Sequence, residues 1–192
     1  AYLSIGSNIG EKAENLNKAI EYLKENEDII VDKVSSFIET EPWGNVNQDV
    51  FVNGALKVKT TLSPRELLKV LLDIEQKMHR VRIEKWGPRI IDLDLILYDD
   101  VVSDDDFVTI PHPRMEEREF VLEPLCEIAP NKTHPLLKKR IFRLLEELKN
   151  NHQIFVVSPL IDDNEELDLN SVVSLKEKLS IAFNNKVSIE IL

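Results

Sequence analysis

Apolar and polar positions along the chain switch between a two-residue period and a three-to-four-residue period, and the switches mark out its elements. Residues 1–6, Ala1-Tyr2-Leu3-Ser4-Ile5-Gly6, read as a short strand; Ala13, Leu16, Ala19, Ile20 and Leu23 then recur at helical spacing through about Glu25. Ile29 to Ile38 and Val50 to Thr60 are rich in β-forming residues. Ser63-Pro64-Arg65-Glu66 opens a second helix as a capping box with proline at the first helical position. Leu67, Leu68, Leu71, Leu72, Ile74 and Met78 carry that helix toward Arg80-Val81-Arg82. From Ile90 to Tyr98 the two-residue period returns, with Ile91, Leu93, Leu95 and Leu97 on one face and Asp92 and Asp94 together on the other. The order β-α-β-β-α-β predicts an α+β fold: a ferredoxin-like antiparallel sheet with helices on one face and the other face left for loops and ligand.

Beyond Asp99 the acidic turn Ser103 to Asp106 separates two short β-like pieces, Val101-Val102 and Phe107 to Ile110. Met115 to Ile128 and Leu136 to Leu148 read as C-terminal helical additions, the latter with the basic beginning Lys138-Lys139-Arg140. After Asn150-Asn151 the character changes: an apolar run Ile154 to Ile161, an acidic stretch Asp162 to Asp168, a helix Ser174 to Phe183 and an alternating Val187 to Ile191. The chain is therefore expected to comprise a main domain over 1–150 and an extension over 151–192.

With 192 residues there is enough chain for one well-buried domain and a small appendage. A formal net charge of -11 argues against a general nucleic-acid or anionic-membrane surface, so a local basic patch within that field stands out. Cys126 is the single cysteine, which excludes an internal disulfide; its apolar setting predicts a buried packing residue. No apolar run reaches the length of a membrane span, and the N-terminus lacks a signal-peptide pattern; a cytoplasmic location is the expectation.

The candidate chemistry lies in Lys85-Trp86-Gly87-Pro88-Arg89 and the strand that follows it. Side chains two apart on a strand stand only about 7 Å apart, so two ionised aspartates repel unless a cation sits between them. Hard divalent ions with oxygen ligands suit Asp92 and Asp94, and Arg80, Arg82, Lys85 and Arg89 bring the positive charge that a polyphosphate requires. The loop Glu39 to Asp49, with Pro42, Trp43 and Gly44, is longer than a hairpin needs. Phe51 and Asn53 follow it on one strand face, an aromatic ring beside a carboxamide, as a flat heterocycle would require. Gly6-Ser7-Asn8-Ile9-Gly10 has neither the lysine of a P-loop nor a dinucleotide fingerprint, and reads as a tight strand-to-helix connection. His112, between Pro111 and Pro113, is held stiffly outside the core.

Together these residues resemble the 6-hydroxymethyl-7,8-dihydropterin pyrophosphokinase family of folate biosynthesis over roughly residues 1–150. The most specific part is Arg80-Val81-Arg82, Trp86-Gly87-Pro88-Arg89 and Asp92-Leu93-Asp94. It is supported by Gly6-Ser7-Asn8, by Thr40, Pro42, Gly44, Gln48, Phe51 and Asn53, and by Pro111-His112 with Arg118 and Phe120. The resemblance implies transfer of diphosphate from ATP to the pterin hydroxymethyl oxygen, with release of AMP. It implies two Mg2+ ions on Asp92 and Asp94, with Arg80, Arg82 and Arg89 joining the aspartates as catalytic residues. It places ATP against Glu75, Arg80, Arg82, Trp86, Arg89, His112 and Arg118, and the pterin against Thr40, Pro42, Trp43, Phe51, Asn53 and Phe120. Partners are expected to be these two small molecules, without nucleic acid or membrane, on a monomer or weak homodimer. Two departures stand out: Lys85 replaces the arginine usual beside the tryptophan, and Glu119 puts a negative charge between Arg118 and Phe120. A palm-type nucleotidyl transferase or cyclase shares the strand order and acidic pair but leaves Phe51, Asn53 and the Thr-x-Pro-x-Gly loop unexplained. An RNA-recognition module would need a basic sheet, which the charge opposes.

Overall fold

The computed structural model describes residues 1–42, 49–78 and 89–151. Arg80, Arg82, Lys85, Trp86, Trp43, Gly44, Gln48 and the extension beyond 151 lie outside the described residues. The elements run β1 (Tyr2–Ser7), α1 (Lys12–Lys24), β2 (Ile29–Val34), β3 (Ile38–Thr40), β4 (Phe51–Thr60), α2 (Pro64–Lys77) and β5 (Asp92–Leu97). The chain continues through β6 (Ser103–Asp104), β7 (Thr109–Ile110), a 3-10 turn at Met115–Glu117, α3 (Glu119–Ile128) and α4 (Ile141–Asn151). The five-stranded sheet has the order β2-β4-β1-β5, with β3 also pairing β4, and every pair is antiparallel. Among the described residues no helix is long and apolar enough to cross a membrane.

The stretch expected as one strand over 29–38 is two. At the join, Ser35 donates its backbone N–H to the Ala55 carbonyl while its Oγ accepts from the Ala55 N–H at 2.8 Å, so a side chain takes over a ladder bond and the strand bends. β2 then pairs with the far end of β4 and β3 with its start, Thr40 opposite Phe51. Within β2 the pairing skips Asp32, whose carboxylate meets Lys57 and Lys59 at 2.7 and 3.1 Å.

Helices cover both sheet faces, not one. α1 buries Leu16, Ala19, Ile20 and Leu23, and α2 buries Leu67, Leu71 and Ile74, against Leu3, Ile5, Leu56, Val58, Leu93 and Leu95. The capping box at Ser63 and Glu66 is present, each side chain bonding the other's backbone N–H. On the opposite face Ala55 and Ile96 are apolar, and leaving them wet would forfeit their burial. Val121, Leu122, Leu125 and Ile128 of α3 cover them, with Ile141 and Leu144 of α4 behind. Cys126 packs at the margin of this second core and is half-buried, because it falls beside the buried stripe of α3 rather than on it.

Two expected helices start late. The segment from Met115 is interrupted at Arg118, whose φ of -114° and ψ of 99° are extended, so α3 begins only at Glu119. The helix expected from Leu136 begins at Ile141, because His134 captures the preceding turn. Its Nδ1 accepts the N–H groups of Leu136 and Leu137 at 3.3 and 3.1 Å, and Lys138 takes a left-handed φ of 56°. Likewise Val101-Val102 is not a strand; its place in the hairpin with β7 is taken by Ser103–Asp104.

Burial, partly offset by Glu116, pushes the pKa of His134 below the ordinary histidine value. The unfolded chain therefore takes up the proton first on acidification, and stability falls as pH drops through the ordinary histidine range. His134→Asn, whose Oδ1 can stand in for Nδ1 as the acceptor, is expected to shrink the loss of Tm between about pH 7 and about pH 5. Thermal denaturation of both proteins at the two pH values checks this, and an unchanged difference would count against His134.

Candidate active site

The polar part of the second sheet face is assembled by register. Gly6 on β1 lies opposite Asn53 of β4 on one side and Asp92 of β5 on the other; Ser4 lies likewise between Ala55 and Asp94. Directly paired residues point to the same face at a spacing of about 5 Å, so Asp92, Gly6 and Asn53 form one row and Asp94, Ser4 and Ala55 the next. α3 covers the Ala55 end of these rows; both aspartates are only half-buried. Phe51, two residues before Asn53, lies on this face and is also half-buried.

Asn53 is 5% exposed and its Nδ2 donates to Thr40 Oγ1 at 2.7 Å, tying the end of β3 to β4. Its carboxamide lies over Gly6: a Cβ there would meet Asn53 Oδ1 at 2.6 Å. Gly6 is required by this close approach. Pro42, half-buried, follows Thr40 at the end of the described segment.

Arg89 reaches the carboxylate of Asp92 with its guanidinium. Its backbone is clamped by Asn8, whose Oδ1 accepts the Arg89 N–H at 2.8 Å and whose own N–H donates to the Arg89 carbonyl at 3.1 Å. Asn8 is 2% exposed and carries the positioning role that the sequence reading missed. The signal lies in the Gly-Ser-Asn turn, which reads in sequence as a connection and as support for the family resemblance, with no role for Asn8 itself. Asn15 holds that turn in place by donating to Ser7 Oγ and the Ile9 carbonyl. Glu75 is buried on α2, on the opposite side of the sheet, and accepts the Leu93 N–H at 2.7 Å. It thus fixes the backbone between the two aspartates.

His112 and Arg118 arrive from the segment after β7. The His112 N–H donates to the Ile96 carbonyl at 2.9 Å, two residues beyond Asp94. Burial, followed by the charge of Arg118, lowers the pKa of His112 below its ordinary value, which favours a neutral imidazole. Arg118, at the interruption before α3, is also lowered by burial, while Asp94 and Asp92 pull the other way and Arg114 and Arg89 reinforce it. These opposing influences place its guanidinium in the field of both aspartates. Arg118 also lies 5.9 Å from the centre of the Phe120 ring. Glu119 is turned to α4, where Lys149 meets it at 3.3 Å and takes up its charge. Arg89, Asp92, Asp94, His112, Arg118, Phe51, Asn53, Thr40 and Phe120 therefore belong to one side of the sheet.

Among the described residues no three His, Cys, Asp or Glu side chains form a metal-holding group. Asp92 and Asp94 do fit an ion that takes one or two carboxylates and completes its shell with water and substrate phosphate, as Mg2+ does. Their donors are hard oxygens, and Arg89 on Asp92 shows that a cation is accommodated there.

A family model described as 7,8-dihydro-6-hydroxymethylpterin-pyrophosphokinase matches residues 2–130. The chain is 45% identical over 148 residues to the 2-amino-4-hydroxy-6-hydroxymethyldihydropteridine pyrophosphokinase of Synechocystis sp., a match covering 77% of this chain and 75% of that protein. It is 44% identical over 138 residues to the protein of the same name in Aquifex aeolicus, covering 72% and 85% respectively. Against the folic acid synthesis protein fol1 of Schizosaccharomyces pombe it is 44% identical over 148 residues but spans only 20% of that longer protein. The fold is similar to that of Plasmodium falciparum HPPK-DHPS crystallised with pteroate, with a TM-score of 0.62 at 16% identity, covering 77% of this chain and 44% of that one. With the family model spanning more than half its length and two relatives matched over most of theirs, the chain belongs to the 7,8-dihydro-6-hydroxymethylpterin-pyrophosphokinase family.

Proposed function

We propose that this pyrophosphokinase transfers the terminal diphosphate of ATP to the hydroxymethyl oxygen of 6-hydroxymethyl-7,8-dihydropterin. The hydroxyl oxygen forms a bond to the β-phosphorus as the bond from that phosphorus to the α,β-bridging oxygen breaks; AMP departs and the hydroxyl proton is released. The observation that carries the reading is the placement of Asp92 and Asp94 beside Gly6 and Asn53 on one polar sheet face. The strand order supports a ferredoxin-like arrangement, to which β3 and the helices of the second face are additions. Residues 1–150 carry the activity and 151–192 form an extension; the protein works as a monomer or weak homodimer in the cytoplasm.

Asp92 and Asp94 would hold two Mg2+ ions, which when bound neutralise the triphosphate and acidify the attacking hydroxyl. The side chains of the chain itself bind and orient. Arg89 and Arg118 grip phosphate oxygens, and a neutral His112 offers a hydrogen bond without adding charge. Arg80, Arg82 and Trp86 complete the nucleotide site, and Glu75 steadies the strand beneath it. Phe51 and Phe120 sandwich the pterin; Asn53, oriented by Thr40, reads its edge together with Pro42 and Trp43. Positioning and charge neutralisation supply most of the acceleration in such a transfer, so no strong protein base is needed.

Calorimetric titration with 6-hydroxymethylpterin, with and without a non-hydrolysable ATP analogue and magnesium, tests the reading. Binding of the pterin is expected, and its absence at saturating concentration would remove it. Asp94→Asn should cost at least about a hundredfold in turnover while leaving the fold intact. Asn8→Ala should lower turnover about tenfold, as loss of a supporting hydrogen bond commonly does, with pterin affinity unchanged. Steady-state kinetics beside the same titration separates the two effects. Gly6→Ala should displace the Asn53 carboxamide and weaken pterin binding; an unaltered pterin Kd would show that Asn53 does not read the ligand.

A further inference from the structure

The segment that brings in His112 and Arg118 contains a second arginine to which the proposed reaction gives no part. We propose that Arg114 is a further phosphate-binding residue of this site, its guanidinium gripping the triphosphate of the nucleotide beside His112 and Arg118. The inference rests on the functional reading above and deepens it.

Placement comes first. His112 is tied to the Ile96 carbonyl on β5, at the edge of the aspartate rows, and Met115 is fully buried in the second core. Only Pro113 and Arg114 span the distance between these anchors. Both are exposed, and the turn is closed by the Met115 N–H donating to the His112 carbonyl at 3.2 Å. Arg114 is therefore confined to the rim of the site, between His112 two residues before it and Met115 directly after it, both of which are held.

The backbone supplies the second observation. Arg114 has φ 61° and ψ 23°, left-handed values that glycine adopts freely and that cost other residues. Stability alone would favour glycine or asparagine at this corner. A long cation kept in a strained conformation beside a polar sheet face is the pattern of strain retained for function.

Charge is the third. Arg114 stands near enough to disfavour the protonated forms of both His112 and Arg118, and Arg89 acts on Arg118 in the same sense. Three guanidinium groups thus converge on a face with two carboxylates, in a chain whose formal net charge is -11. A polyanion entering among them would be drawn to all three, and Arg is the side chain best matched to phosphate geometry.

The test uses the full chain with Arg114→Gly, which removes the cation and relieves the backbone together. Its Tm should equal or exceed that of the wild type. Its Kd for the magnesium complex of a non-hydrolysable ATP analogue should rise about tenfold, as loss of one charge-assisted contact would produce. The Kd for 6-hydroxymethylpterin alone should stay unchanged. Arg114→Asn, which also tolerates the left-handed region, serves as the second variant should the glycine variant fail to fold. Wild-type protein that binds both ligands, with either folded variant matching its nucleotide Kd, overturns the role of Arg114 alone. Wild-type protein that binds neither ligand overturns the functional reading, and the inference with it.

Discussion

The site depends on one antiparallel register, in which β1 lies between β4 and β5 with Gly6 flanked by Asn53 and Asp92. Side chains alternate across a sheet, so a slip of one residue in β5 would send Asp92 and Asp94 into the first core and Leu93 and Leu95 into the cleft. Both errors are costly, since buried carboxylates lose their hydration and exposed leucines lose their burial. The same apolar alternation that builds the core therefore aims the carboxylates. Glu75 adds a fixed point, bonding the Leu93 N–H from the α2 side.

The sheet then divides its labour. One face, under α1 and α2, is a continuous apolar core. The other is split between a second core under α3 and α4 and the polar rows near Gly6. That split explains how His112 and Arg118 are held: each is bonded to a residue of the second core, the His112 N–H donating to the Ile96 carbonyl and the Arg118 carbonyl accepting the Val121 N–H. Asn8 performs the corresponding service for Arg89 from the first turn of the chain.

Much of this was legible in the sequence where a strong local pattern agrees with the tertiary demand. The alternation after Ile90, the Ser63 capping box and the helical spacing from Ala13 to Leu23 correspond to β5, α2 and α1. The second layer was not legible, because nothing local in Ala55 or Ile96 says that a helix from much later in the chain will cover them. The late starts of α3 and α4 were hidden for a different reason: a single side chain, His134, and the extended backbone at Arg118 override runs whose composition favours helix. The Asn8 clamp was obscured by distance, since its partner lies 81 residues away. Glu119 posed an apparent conflict with Arg118 that Lys149, thirty residues further on, resolves.

The pairing of β1 with β5 contains a miscount: Tyr2 faces Leu97 and Leu3 faces Leu95, leaving Ile96 without an opposite number. The alternation expected through Leu97 therefore breaks at this bulge, and Ile96 and Leu97 both join the second core. That surplus residue supplies the carbonyl to which His112 is moored. A strand one residue shorter would keep its acidic pair and lose the mooring of His112, so a histidine's place beside the carboxylates is secured by a defect in counting.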